Sequence, residues 1–143
     1  MIVLDTNIIS EPLKPLSNVA VVAWLDREPR KSFYLCAPVL MEVLLGIAIL
    51  PAGKRKRSLA AAIDRLLASY FADRFLAFGR EAAMMYASLA SRAAASGYIL
   101  SVADCQIAAI AAVHGFAVAT RDTAPFQAAG VPVVNPWNNG VGS

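Results

Sequence analysis

Four acidic residues stand where a carboxylate could do chemistry: Asp5, Glu42, Asp104 and Asp122. Asp5 follows the short apolar run Ile2-Val3-Leu4, and Asp122 follows a second apolar run, 116–119, by three residues. Glu42 lies in Val39-Leu40-Met41-Glu42-Val43-Leu44-Leu45, apolar on both sides. A buried, unpaired carboxylate costs roughly several kcal/mol unless it is paired or binds metal. The plainer reading of Glu42 is a narrow exposed stripe, or a pair with an arginine. Asp104 closes Ser101-Val102-Ala103-Asp104, a capping-box pattern in which the fourth residue reaches back to the cap. Asp122 could cap a short helix beginning near Thr123, and Asp5 could simply start a turn.

Taken together, the four acids point to a metal. If they gathered within about 5 Å at an effective dielectric of about 20, each pair would repel by roughly 3 kcal/mol. A divalent cation or a proton must relieve that repulsion. Ligands that are all oxygen select Mg²⁺, with Mn²⁺ as substitute, over zinc. Such an ion activates water and neutralises an attacked phosphate without any histidine. The chain has one histidine, His114, which rules out paired-histidine RNA cleavage and histidine-rich zinc sites within one chain. His114 sits before Gly115, where a helix C-cap favours a plain cation.

The net charge is +3, from 13 basic and 10 acidic residues. With four acids committed to one site, 13 cations face only six other acids. Such a surface suits a polyanion, nucleic acid first. The chain is 58% hydrophobic with mean hydropathy +0.56, more than 143 residues can bury alone, so an interface with a second subunit is expected. The stretch 37–52 is short for a membrane span and carries Glu42, and no signal peptide is expected at the N-terminus, so the expected location is the cytoplasm, with no membrane association. Cys36 and Cys105 fit no metal-ligand pattern and read as reduced core residues.

The elements that must position the acids alternate. Strands are expected at 2–4, 33–36, 75–78, 116–119 and 131–134. Helices are expected from Thr6 or Asn7 as a cap, over 18–26, from Pro38 to about 50, over 54–72, 80–96 and from Ser101 to 114. This order predicts an α/β fold, a three-layer sandwich with a central, mainly parallel sheet of about five strands flanked by helices. One domain is expected over 1–137, with a frayed tail at 138–143. Ligands of open parallel sheets bind beyond the carboxyl ends of the strands, where Asp5 and Asp122 both fall.

Five segments carry a resemblance: Met1-Ile2-Val3-Leu4-Asp5-Thr6-Asn7-Ile8-Ile9-Ser10-Glu11; Met41-Glu42-Val43-Leu44-Leu45-Gly46-Ile47; Ala103-Asp104-Cys105-Gln106-Ile107-Ala108-Ala109; Ala119-Thr120-Arg121-Asp122-Thr123; and Asn135-Pro136-Trp137. In this order they resemble the PIN-domain family, and within it the VapC/FitB-like toxins of type II toxin–antitoxin pairs. The resemblance spans nearly the whole chain. It implies a PIN fold, a Mg²⁺-dependent endoribonuclease cleaving RNA phosphodiesters by metal-activated water, a homodimer or higher toxin–antitoxin assembly, and a small antitoxin that blocks the active site. Residue by residue, Asp5, Glu42, Asp104 and Asp122 take the catalytic and metal-binding roles, with Thr6 and Thr120 supplying hydroxyls beside them.

Lys54-Arg55-Lys56-Arg57 opens a helix, where four cations oppose the macrodipole. They are candidates for gripping the RNA backbone, with Arg121 beside them, against the reading of a solvated charge run. Two rival functions stand. One is a phosphatase-type enzyme with Asp5 as nucleophile, although Asn7 stands where its second aspartate would be. The other is a non-catalytic partner-binding module whose acids are caps.

Overall fold

The computed structural model describes residues 1–138. Most of the expected tail, 139–143, lies outside the described residues. The order is β1 (Ile2–Leu4), α1 (Thr6–Ser10), α2 (Val19–Arg27), β2 (Phe33–Cys36), α3 (Ala37–Ala48), α4 (Lys54–Arg65), β3 (Phe75–Leu76), α5 (Arg80–Ala95), α6 (Val102–His114), β4 (Ala117–Ala119), α7 (Ala124–Ala128) and β5 (Val133–Val134). All five strands pair in parallel, in the order β3-β2-β1-β4-β5. Each crossover is helical, as parallel pairing requires.

From β1 the chain winds outward through β2 to β3, then returns to β4 beside β1 and continues to β5. Right-handed crossovers in opposite directions place helices on opposite faces. Accordingly α1 packs with α3 and α3 with α4, while α5 packs with α6 and α6 with α7. The reversal leaves a topological switch point between the carboxyl ends of β1 and β4, where such sheets bind ligands. Register fixes what meets there: Leu4 pairs with Ala119, and the Asp5 N–H donates to the Ala119 carbonyl at 3.0 Å. The next residues of the two strands, Asp5 and Thr120, therefore lie side by side.

The core is aliphatic and aromatic, with Val3, Phe33, Val39, Ile107, Val118 and Phe126 all fully buried. Helix α3 is apolar on two faces for two reasons. Val39, Val43 and Ile47 recur every fourth residue and are buried. Met41, Leu44, Leu45 and Ile49 form a second stripe, at helical spacing, that is exposed, Leu45 by 61% and Ile49 by 75%. Part of the apolar surplus is thus on the surface, and α3 with the residue after it carries its one stripe at helical spacing among the described residues. Among the described residues no helix is long and apolar enough to cross a membrane.

Several local expectations are corrected. The cap of α1 is Asp5, which accepts from the Thr6 N–H, and neither Thr6 nor Asn7. The cap position of α7 is Thr123, which makes no side-chain bond, and not Asp122. Helix α4 stops at Arg65 and continues only as a wider π turn over Leu66–Tyr70, short of residue 72. Strands β3, β4 and β5 are shorter than the apolar runs that contain them, because ladder pairing covers only the start of the β3 run and only the ends of the β4 and β5 runs.

Candidate active site

Asp5 is the centre of the site. It is 7% exposed, and both carboxylate oxygens accept hydrogen bonds: Oδ1 from the Thr6 N–H at 2.8 Å and Oδ2 from the Thr120 hydroxyl at 2.8 Å. Thr120 is fully buried. Its Oγ1 also accepts from the Asp122 N–H at 3.1 Å and from Asn7 Nδ2 at 3.4 Å. Asn7 Oδ1 in turn accepts from the Arg121 N–H at 3.2 Å. A small network thus ties the loop after β1 to the loop after β4. Sequence reasoning missed Asn7 as its bridge. The signal was the unbroken polar run Asp5-Thr6-Asn7 after a buried strand.

The other acids arrive from helices. Pro38 in the first turn of α3 starts that helix directly after β2, which sets half-buried Glu42 beside Asp5. The Ser101 hydroxyl caps α6 by accepting from the Asp104 N–H at 3.1 Å. Only half of the capping box forms, since the Asp104 carboxylate returns no bond to Ser101 among the described residues, and it is left to face the cleft. Asp122 is exposed at the rim, held through its N–H.

Electrostatics show that the acids share one field. Burial pushes the Asp5 carboxyl above its usual range; the Thr120 and Thr6 donors oppose this, while the negative charges of Asp104 and Asp122 add to it. Burial likewise raises Glu42, opposed by the Thr6 hydroxyl and reinforced by Asp5 and Asp104. Cys36, at the end of β2, is pushed up to about 12, first by burial and then also by Asp5 and Glu42, so its thiol stays protonated and inert. Cys105 is also buried and free.

The spacing is looser than a cluster with every pair at contact distance. Among the described residues no three acids stand close enough to make a ready coordination shell. The residues still suit a hard cation, because Mg²⁺ keeps several of its waters and takes only one or two carboxylates directly. The side chain of Thr6 supports the fit. Its Oγ1 is buried beside Glu42 without a partner that meets hydrogen-bond geometry. A buried hydroxyl so poorly satisfied is costly, and a water carried by an ion held at these acids would complete its bonding.

The basic candidates separate. Lys56 Nζ donates to the carbonyls of Ala48 at 2.9 Å and Leu50 at 3.2 Å, closing the C-terminal end of α3. Arg55 lines a cavity of about 340 Å³ that also takes in Thr6 and Glu42. Lys54 and Arg57 are exposed and do not line it. The Arg121 guanidinium lies 5.3 Å from the Trp137 ring centre. A cavity of about 460 Å³ elsewhere, lined by Ile9, Leu25, Leu66 and Tyr70, contains none of the four acids. His114 is exposed at the end of α6, stacked on Phe116, with Gly115 in the left-handed region at φ 71°. It takes no part in the site.

The chain is similar to known proteins over nearly their whole length. A profile described as the PIN domain matches residues 2–131. The toxin FitB of Neisseria gonorrhoeae is 45% identical over 139 residues, 97% of this chain and 100% of that one. A VapC ribonuclease of Sinorhizobium fredii is 44% identical over 137 residues, 96% of this chain and 98% of its own. The crystal structure of FitAcB from Neisseria gonorrhoeae superposes with a TM-score of 0.92 at 46% identity, covering 96% of this chain and 99% of that one.

Proposed function

The chain belongs to the PIN domain family, and from that membership and its acidic cleft we propose that it is the toxin of a type II toxin–antitoxin pair, a Mg²⁺-dependent endoribonuclease. One observation carries the reading. Asp5 is buried at the switch point of a parallel sheet, held by Thr6 and Thr120, with Asp104 and Asp122 close enough to disturb its charge and Glu42 close enough to feel it. A fold does not keep mutually repelling carboxylates in a cleft for stability's sake.

Asp5, Glu42, Asp104 and Asp122 would hold the ion, with Mn²⁺ able to substitute. When bound, Mg²⁺ supplies positive charge that makes water a better nucleophile and offsets the charge built up on the attacked phosphate. The protein's own part is positional. Thr120 fixes the rotamer of Asp5, and Asn7 fixes Thr120. Glu42 or Asp104, carried by α3 and α6, would orient the attacking water and accept its proton. Asp122 and Arg121 mark the rim over which an RNA strand would pass.

The relatives also bear on partners. Similar solved structures are toxin–antitoxin complexes, which supports a small antitoxin that covers the cleft. The exposed stripe of α3 supports a homodimer, from which a larger toxin–antitoxin assembly can be built. An RNA substrate places the work in the cytoplasm. The phosphatase-type alternative is weakened by Asn7, whose amide is spent on Thr120 and Arg121, so no second acid stands where that mechanism would use one.

The test is incubation of antitoxin-free protein with cellular RNA in Mg²⁺, in EDTA and with Asp5→Asn in place of wild type. Cleavage that needs Mg²⁺ and disappears in a folded Asp5→Asn variant is expected. Wild-type turnover by that variant would sink the assignment, and absence of both cleavage and metal binding would favour a non-catalytic binding module.

A further inference from the structure

We propose that the cavity beside Glu42 is a phosphate subsite in which Arg55, assisted by Lys14, holds the RNA backbone to one side of the bond that is cut. The inference rests on the ribonuclease reading and adds to it the residues that grip the substrate. The cavity, about 340 Å³, is continuous with the acid site because Thr6 and Glu42 form one of its walls. Lys14 and Arg55 are its two cations. Its remaining lining is mostly apolar, including Val43, Ile47 and Leu59, which suits a sugar or base edge beneath a charged backbone.

Charge makes the case for Arg55. Four carboxylates repel the phosphate they are meant to attack, so a strand entering the cleft needs compensating cations close by. Arg55 makes no ion pair among the described residues. Lys14 pairs with Glu11 at 3.2 Å, yet its side chain is 54% exposed and can reach a second anion. Arg55 also stands in the first turn of α4, where a cation opposes the helix dipole and no side chain caps the free N–H groups. A phosphate in this cavity would resolve both oppositions.

Placement separates Arg55 from its neighbours. Lys56 is spent on the carbonyls of Ala48 and Leu50, and that bond pins the start of α4 against the end of α3, the helix that carries Glu42. This fixes Arg55 at the cavity mouth. Lys54 and Arg57, equal in charge, lie outside it.

The experiment measures fluorescence anisotropy of a labelled single-stranded RNA on the Asp5→Asn protein across a salt series. Adding Arg55→Ala is expected to weaken binding about tenfold and to lower the log–log salt slope by about 0.7, the value for one phosphate contact on a single strand. Arg55→Lys should recover part of the affinity. Lys54→Ala and Arg57→Ala should each weaken binding less than Arg55→Ala. In the cleavage-competent protein, Arg55→Ala should raise KM for RNA by a similar factor. Unchanged affinity in Arg55→Ala, or equal losses at Lys54 and Arg57, would overturn the subsite. If the wild type does not cut RNA with Mg²⁺, the ribonuclease reading fails instead. If it cuts and Arg55→Ala keeps the wild-type KM, only the subsite fails.

Discussion

Thr120→Val removes one oxygen from the centre of the site and leaves the shape of the side chain. Thr120 is fully buried, so water cannot replace what is lost. Its hydroxyl donates to Asp5 Oδ2 at 2.8 Å, and a hydrogen bond to a charged group is worth about 1.5–3 kcal/mol. The Asp122 N–H loses its acceptor too, but it lies at the exposed rim and can turn to solvent. The expected loss is therefore about 2 kcal/mol at pH 8, or roughly 6–10 °C in Tm for a domain of this size. The sign with pH follows from Asp5. Burial holds its folded pKa above the ordinary 3.8, so ionising it costs the fold stability as pH rises, and Thr120 offsets part of that cost. The difference between wild type and Thr120→Val should be full at alkaline pH and shrink as pH falls through the raised folded pKa and Asp5 takes up its proton. Thr120→Ser keeps the hydroxyl, so its smaller loss should not vary with pH. Thermal melting of the three proteins between pH 4 and 8 measures this. A Thr120→Val protein that melts with wild type at pH 8, or a gap that is the same at every pH, would refute the role assigned to this contact.

Three other outcomes are expected. Glu11 is held below the usual carboxylate range, first by the Asn18 N–H and then by Lys14, so its stabilisation is present above about pH 4.5 and is lost as pH falls through the lowered folded value. Urea midpoints of wild type and Glu11→Gln should differ at pH 7 and converge as pH falls through the lowered folded value. Leu45→Glu places a charge in the exposed stripe of α3 and should convert a dimer to a folded monomer by sedimentation velocity; a dimer of unchanged affinity would move the interface elsewhere. Lys56→Ala removes the donor to the last α3 carbonyl, Ala48, and to the Leu50 carbonyl just beyond the helix, and should cost about 0.5–1 kcal/mol in denaturant unfolding.

Local pattern and long-range register contribute differently to what the sequence discloses. The alternation of short apolar runs with helices sufficed for a parallel α/β sheet, and Asp5 was legible because it follows a strand too apolar to be anything but central. The caps were not, because Asp5 and Thr123 compete with neighbours of equal propensity, and only the backbone angle at each position decides. The contact between Asp5 and Thr120 joins residues 115 apart and follows from the pairing of β1 with β4, which no local pattern contains. Strand order is what turns two unremarkable loop residues into a hydrogen-bonded pair.

The basic run shows the same limit from the side of charge. Four consecutive cations are alike in composition, yet successive residues on a helix point about 100° apart. Lys56 is consumed by the end of the preceding helix, Arg55 lines the cavity beside Glu42, and Lys54 and Arg57 lie outside that cavity. Under the proposed RNA-binding role, counting all four overstates the grip, and treating them all as solvated understates it. Each cation of the run therefore has its own fate, and Arg55 is the one whose removal tests the proposed hold on RNA.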